Sequence, residues 1–167
     1  MRKRFPVFQP WISTVARLFL TGVFVLAGWP KLVDQEATVR SVRAFDLLPE
    51  ALVRPFAFGL PLLELSVALL LLFGLGTRLA AALTGCLMVM FMFGIASAWA
   101  RGLSIDCGCF GNTGTEVPDP VPGYIKDLFR DTGFFLVAAF LLRWPRSRFS
   151  LDGVLGLHPE PVPTGRR

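Results

Sequence analysis

A chain of 167 residues that is 53% hydrophobic, with 16 Phe and a mean hydropathy of +0.58, is too apolar for a soluble domain and too short for two. Its net charge of +5 does not point to nucleic acid, because the 17 Lys and Arg are spread over the ends of apolar runs rather than gathered on one polar face. What remains is an integral membrane protein, whose spans need about 20 helical residues to cross a hydrocarbon core of roughly 30 Å.

In chain order, residues 1–10 are expected to be a basic cytoplasmic N-terminus, followed by a four-span membrane domain over 11–142. The first span is placed over 11–32, where thirteen uncharged residues separate Arg17 from Lys31. The basic start and Val25-Leu26-Ala27 also fit a cleavable leader, but Arg17 interrupts the apolar region and the run continues to Lys31, so a retained span is preferred. Residues 34–54 are too polar to cross. Within them Val39, Val42 and Phe45 recur at spacing three before Pro49, which predicts a short interfacial helix in the first outer loop, lying over the bundle.

The second span is placed over 56–76, with Glu64 as its only charge, and the third over 79–100, with none. Between them "GLGTR" predicts a tight cytoplasmic turn that packs the two spans antiparallel. Ala80, Ala81, Ala82 and Gly85 offer close helix contact in the third span, and Cys86 reads as a small packing residue. Residues 101–123 include "PDPVPG" and cannot be helical throughout. The fourth span is placed over 124–142. Only 132–142 is free of charge, so its first two turns are expected at headgroup depth, with Lys126, Asp127, Arg130 and Asp131 in or near water. Residues 143–167 are rich in Pro and Arg and read as a disordered cytoplasmic tail.

The fold class is therefore all-α, a four-helix transmembrane bundle with both termini on one side. That side carries nine basic residues against Asp152 and Glu160, while the other carries seven basic against nine acidic. The positive-inside rule puts both ends in the cytoplasm and the loop containing Cys107 outside.

Two charges fall at membrane depth, where they need a partner or a cavity. Counting 1.5 Å per residue from Trp11 and from Phe73 sets Arg17 about 9 Å and Glu64 about 14 Å from the same boundary, within an arginine's reach. A packing ion pair is preferred over a role with protons or a quinone. Pro61, three residues before Glu64, is expected to kink the second span.

"IDCGCFGN" raises three readings for Cys107 and Cys109: a redox dithiol, a structural or idle pair, or a soft-metal clamp. Closing a three-residue loop removes only about 1.6 kcal/mol of chain entropy, while off-ideal geometry stores several kcal/mol of strain, so little net bracing results. A strained, exposed disulfide is easily reduced, as in catalytic pairs. Gly108 relieves the tight turn. A lowered thiol pKa would need Arg101 or Lys126 nearby, since Asp106 opposes a thiolate. For metal the outer side offers two thiols and no histidine, short of the four ligands zinc prefers, so no metal site is assigned and the dithiol is favoured.

Taken together, "RLFLTGVFVLAGWPKL", "AFDLLPE", "LPLLELSVALLLLFGLGTRLAA" and "CGCFG" resemble the MauE/DoxX group of redox-associated membrane proteins, with "CGCFG" favouring the MauE branch. The resemblance runs from Arg17 to about Leu142 and matches at Arg17, Lys31, Glu64, Cys107 and Cys109. It implies a multi-pass protein of the bacterial plasma membrane that works beside an extracytoplasmic thioredoxin-like partner. It further implies support for disulfide maturation of a secreted enzyme such as methylamine dehydrogenase. On that expectation Cys107 and Cys109 exchange a disulfide with the partner, supported by Gly108, Arg17 and Glu64. A quinone near Glu64 and Arg17 is the cofactor class considered, and none is assigned. The rival expectation is a non-catalytic scaffold or assembly factor of DoxX type. Membrane lipid is the other expected contact.

Overall fold

The structure, a computed structural model, describes residues 5–106 and 115–145. Five helices make up most of it: α1 (Phe5–Val33), α2 (Gln35–Ala44), α3 (Glu50–Phe73), α4 (Thr77–Ala100) and α5 (Val121–Arg143). No strand occurs among the described residues, only an isolated bridge between Ile105 and Glu116. Segments Phe8–Val33, Glu50–Phe73 and Thr77–Ala100 are long and apolar enough to cross a membrane. Helix is the expected form, since a spanning segment must satisfy its backbone internally. The 23 residues of α5 are diluted by Lys126, Asp127, Arg130 and Asp131 near its start. Large apolar side chains point outwards, among them Leu26, Phe93 and Phe129, a pattern that suits lipid rather than water.

Local chemistry sets the element ends. Asp34 caps α2, its carboxylate accepting from the Ala37 N–H at 2.9 Å. Helix α3 stops at Gly74, whose left-handed φ of 63° lets its N–H reach the Leu70 and Leu71 carbonyls, and Gly76 (φ 55°) starts α4. Glycine meets the left-handed conformation without the clash a Cβ would bring. The prolines at 55 and 61 leave α3 a single assigned helix.

Helix α1 packs along α3 and α4 along α5, and thinner contacts join the two pairs. The "GLGTR" turn does make α3 and α4 neighbours, yet each gives most of its packing to another helix. The core between the pairs comprises Leu20, Phe24, Val67, Leu71, Ala80, Ala81, Met88, Ala138 and Leu141 among others. Gly28 marks a close approach of α1 to α3: a Cβ there would sit 3.1 Å from Leu65 Cγ and 3.2 Å from Glu64 Cβ. Gly85 faces the Phe135 ring of α5, and Ala80 and Ala81 are fully buried, as their small size suggests. Cys86 is exposed, which corrects its reading as a packing residue: it lies between the buried Thr84 and Leu87 but on the outer face of α4.

Helix α2 is the short helix expected between the first two spans. Val39 is buried with Val53 and Ala57 of α3, and Val42 and Leu48 complete that cluster. Arg101, just past α4, donates to the backbone carbonyls of Phe45 and Asp46 and so ties down the far end of α2.

Candidate functional site

The loop between α4 and α5 is closed at its base. The Asp106 N–H donates to the Thr115 carbonyl (3.1 Å) and the Val117 N–H to the Ser104 carbonyl (2.9 Å), flanking the Ile105–Glu116 bridge. Thr115 Oγ1 donates to Asp106 Oδ2 at 3.2 Å. Tyr124, in the first turn of α5 and 1% exposed, reaches back with its hydroxyl to donate to the Leu103 carbonyl (2.8 Å) and accept from the Ile105 N–H (3.3 Å). Ile95, Ala98, Ile105 and Tyr124 form a buried cluster beneath the bridge. Cys107, Gly108 and Cys109 belong to the eight residues between Asp106 and Thr115 and lie outside the described residues. Arg101 is engaged at the end of α2.

The sequence marks Tyr124 only as the first residue of a span, and nothing local signals the role of its hydroxyl. Replacing it by Phe should cost about 1–2 kcal/mol, because a buried amide and carbonyl lose their partner. Faster hydrogen exchange at the Ile105 amide, with α3 protection unchanged, is the expected readout.

The buried charges form a second constellation deeper in the bundle. Lys31 Nζ lies 2.6 Å from Glu64 Oε1, with side-chain exposures of 6% and 0%. Glu64 therefore pairs with Lys31, not with Arg17 as expected. The error lies in the register: α1 begins at Phe5 and Gly28 stands level with Glu64, so Arg17, eleven residues earlier, is about 16 Å further along the helix. Arg17 is itself buried, and its carbonyl accepts from Thr21 Oγ1 at 3.0 Å.

Asp131 also departs from expectation. It is 2% exposed and turned into the bundle. Arg130 holds it at 2.9 Å and holds Asp127 at 2.6 Å. Lys126 is exposed. Glu64 and Asp131 line one small void of ≈ 10 Å³ together with Phe24, Ala27, Met88 and Phe134. Glu64 Oε2 and Asp131 Oδ2 accept no hydrogen bond among the described residues. The void has room for about one water, and Lys31 is close enough to act electrostatically on both carboxylates. Hydropathy flags Asp131 as a charge but not the helix face it occupies. At the surface, Arg43 pairs with Glu50 at the start of α3, and that contact holds the guanidinium above its ordinary pKa.

A larger cavity of ≈ 400 Å³ opens between α2, α3 and α4, with Lys31 at one end and Phe45, Phe56, Phe91 and Phe93 among its walls.

In comparisons with known proteins, a family profile described as methylamine utilisation protein MauE matches residues 9–144. The chain is 47% identical over 105 residues to the methylamine utilization protein MauE of Methylorubrum extorquens, covering 62% of this chain and 56% of that protein. Its counterpart in Methylophilus methylotrophus is 41% identical over 104 residues, covering 62% and 55%. That of Paracoccus denitrificans is 36% identical over 107 residues, covering 64% and 58%. The chain thus spans somewhat over half the length of the curated relatives it matches. No solved structure matches it.

Proposed function

The chain belongs to the methylamine utilisation protein MauE family, and from that premise we propose that it is a membrane thiol–disulfide component whose Cys107 and Cys109 exchange a disulfide with an extracytoplasmic thioredoxin-like partner. In this reading α1, α3, α4 and α5 each cross the bacterial plasma membrane. Residues 1–10 and 143–167 are cytoplasmic, and the α4–α5 loop faces outwards. The charge bias between the two sides supports that orientation. A fourth crossing by α5 is supported by the way its charges are managed: Asp127 and Asp131 share Arg130, and Asp131 turns inwards. A charge held by a partner costs far less in a bilayer than a free one.

The observation that carries the reading is the paired base of the cysteine loop. Two backbone hydrogen bonds and the Tyr124 hydroxyl hold both ends of an eight-residue segment that contains the two thiols. The paired base fixes where the thiol-bearing segment leaves and rejoins the helices, which supports this reading. In the exchange, one thiolate attacks the partner's disulfide, a mixed disulfide forms and a partner thiolate leaves. The second cysteine then attacks the mixed disulfide and releases the reduced partner, leaving Cys107–Cys109 oxidised. Run backwards, the same steps oxidise the partner. Either way two electrons pass between the pairs, and the client is a disulfide-rich secreted enzyme of methylamine use.

Substituting Cys109→Ala in cells should trap a disulfide-linked adduct through Cys107 that a reductant releases. If no adduct forms, and the Cys107→Ala/Cys109→Ala double variant keeps full function, the protein is a scaffold and the exchange is wrong.

A further inference from the structure

The ≈ 400 Å³ cavity between α2, α3 and α4 is within the size range of small-molecule sites, and its chemistry is lopsided. Aromatic and aliphatic side chains form nearly all of its wall. Its polar members are Lys31, Thr38 and Ser41. The Thr38 hydroxyl is already committed to the Lys31 and Asp34 carbonyls, at 3.1 and 3.0 Å. Lys31 keeps more to offer: of the three N–H donors of an ammonium, one meets Glu64 at 2.6 Å, and Nζ sits 5.2 Å from the centroid of the Phe91 ring on the cavity wall. A ligand group reaching this end must therefore accept a hydrogen bond.

Its charge is constrained as well. Glu64 already balances Lys31, so an anionic head would bring a second negative charge into a buried neutral pair, at the cost of desolvation. A neutral acceptor carries no such penalty. The phenylalanine rings favour a flat partner. Phe93 is 67% exposed and Leu47 43%, so the wall runs on to the lipid-facing surface, and a ligand can enter sideways and leave a long tail outside.

We propose that this cavity binds the head of a lipid-soluble quinone, with one carbonyl oxygen on Lys31. The sequence-based expectation put a quinone beside Glu64 and Arg17. Here Glu64 stands behind Lys31, and Arg17 is too far along α1 to take part. Binding at this site stands apart from the thiol exchange proposed above, since it needs neither cysteine.

The test uses the full chain, purified in detergent and freed of lipid quinone, with decylubiquinone titrated by equilibrium dialysis. Saturable binding to one site is expected. Gly94→Leu should weaken it about tenfold or more, equivalent to at least ~1.4 kcal/mol: the first added carbon fits at 3.7 Å from Phe45, and the rest fills the cavity. Val42→Phe, a second filling variant, should act the same way if Gly94→Leu misfolds. Lys31→Met/Glu64→Leu should also weaken binding while leaving the bundle uncharged at that point. Unchanged affinity in both filling variants, or equal displacement of the quinone by decanol or decanoate, would overturn the proposal. The latter result would mark an unselective acyl-chain groove.

Discussion

Glu64→Leu with Lys31 left in place should destabilise the bundle by about 3–5 kcal/mol, the range for stripping one partner from a buried ion pair. The pair sits at 6% and 0% exposure with 2.6 Å between its charged atoms, so the orphaned ammonium is left largely buried without its counter-charge. Lys31→Met should cost a similar amount for a further reason: it leaves the Glu64 carboxylate buried without its ion-pair partner, beside a water-sized void that it shares with Asp131. The double variant Lys31→Met/Glu64→Leu should recover most of the loss, because swapping a buried pair for apolar side chains is often neutral. Denaturant unfolding of the purified protein in micelles measures all three. A double variant as unstable as either single would show that the pair contributes packing volume rather than charge balance.

Gly28→Leu should cost about 1–3 kcal/mol by overpacking, and the upper end is expected. The new side chain must displace Leu65 and the Glu64 stem, which lie 3.1–3.2 Å from the added Cβ, and any sliding of α1 on α3 also breaks the Lys31 contact. Gly22 is the internal control, since nothing lies within 4 Å of a Cβ there. Gly22→Leu should be within about 0.5 kcal/mol of the parent. Equal effects at the two positions in the same unfolding assay would mean that the α1–α3 approach at Gly28 is not a constraint.

The helices were legible because bilayer-length apolar runs and their punctuation are one-dimensional signals. Val39, Val42 and Phe45 announced α2, and Gly74 and Gly76 announced the turn before α4. Among the buried charges, Lys31 and Glu64 are legible in the sequence but their pairing is not. Counting residues gives a depth along one helix but not the slide of one helix past another. Levelling Trp11 with Phe73 matches Arg17 to Glu64, whereas Gly28 fixes the true register. The outward face of Cys86 and the inward face of Asp131 failed for a related reason. In a helix surrounded by lipid both faces are apolar, so hydropathy gives little sense of which way a side chain turns. Tyr124 could not be found at all, since its partners are main-chain atoms some twenty positions upstream.

That α1 clasps α3 while α4 clasps α5 has a consequence for biogenesis. Each clasp is drawn from one continuous half of the polypeptide, 5–73 and 77–143, and only Gly74, Leu75 and Gly76 are common ground. The first half can dock its own helices while the second is still on the ribosome. The seam between the halves, with Glu64 on one bank and Asp131 on the other, is then the last surface to close, and closing it brings together two carboxylates that each already hold a cation from their own half, Lys31 and Arg130.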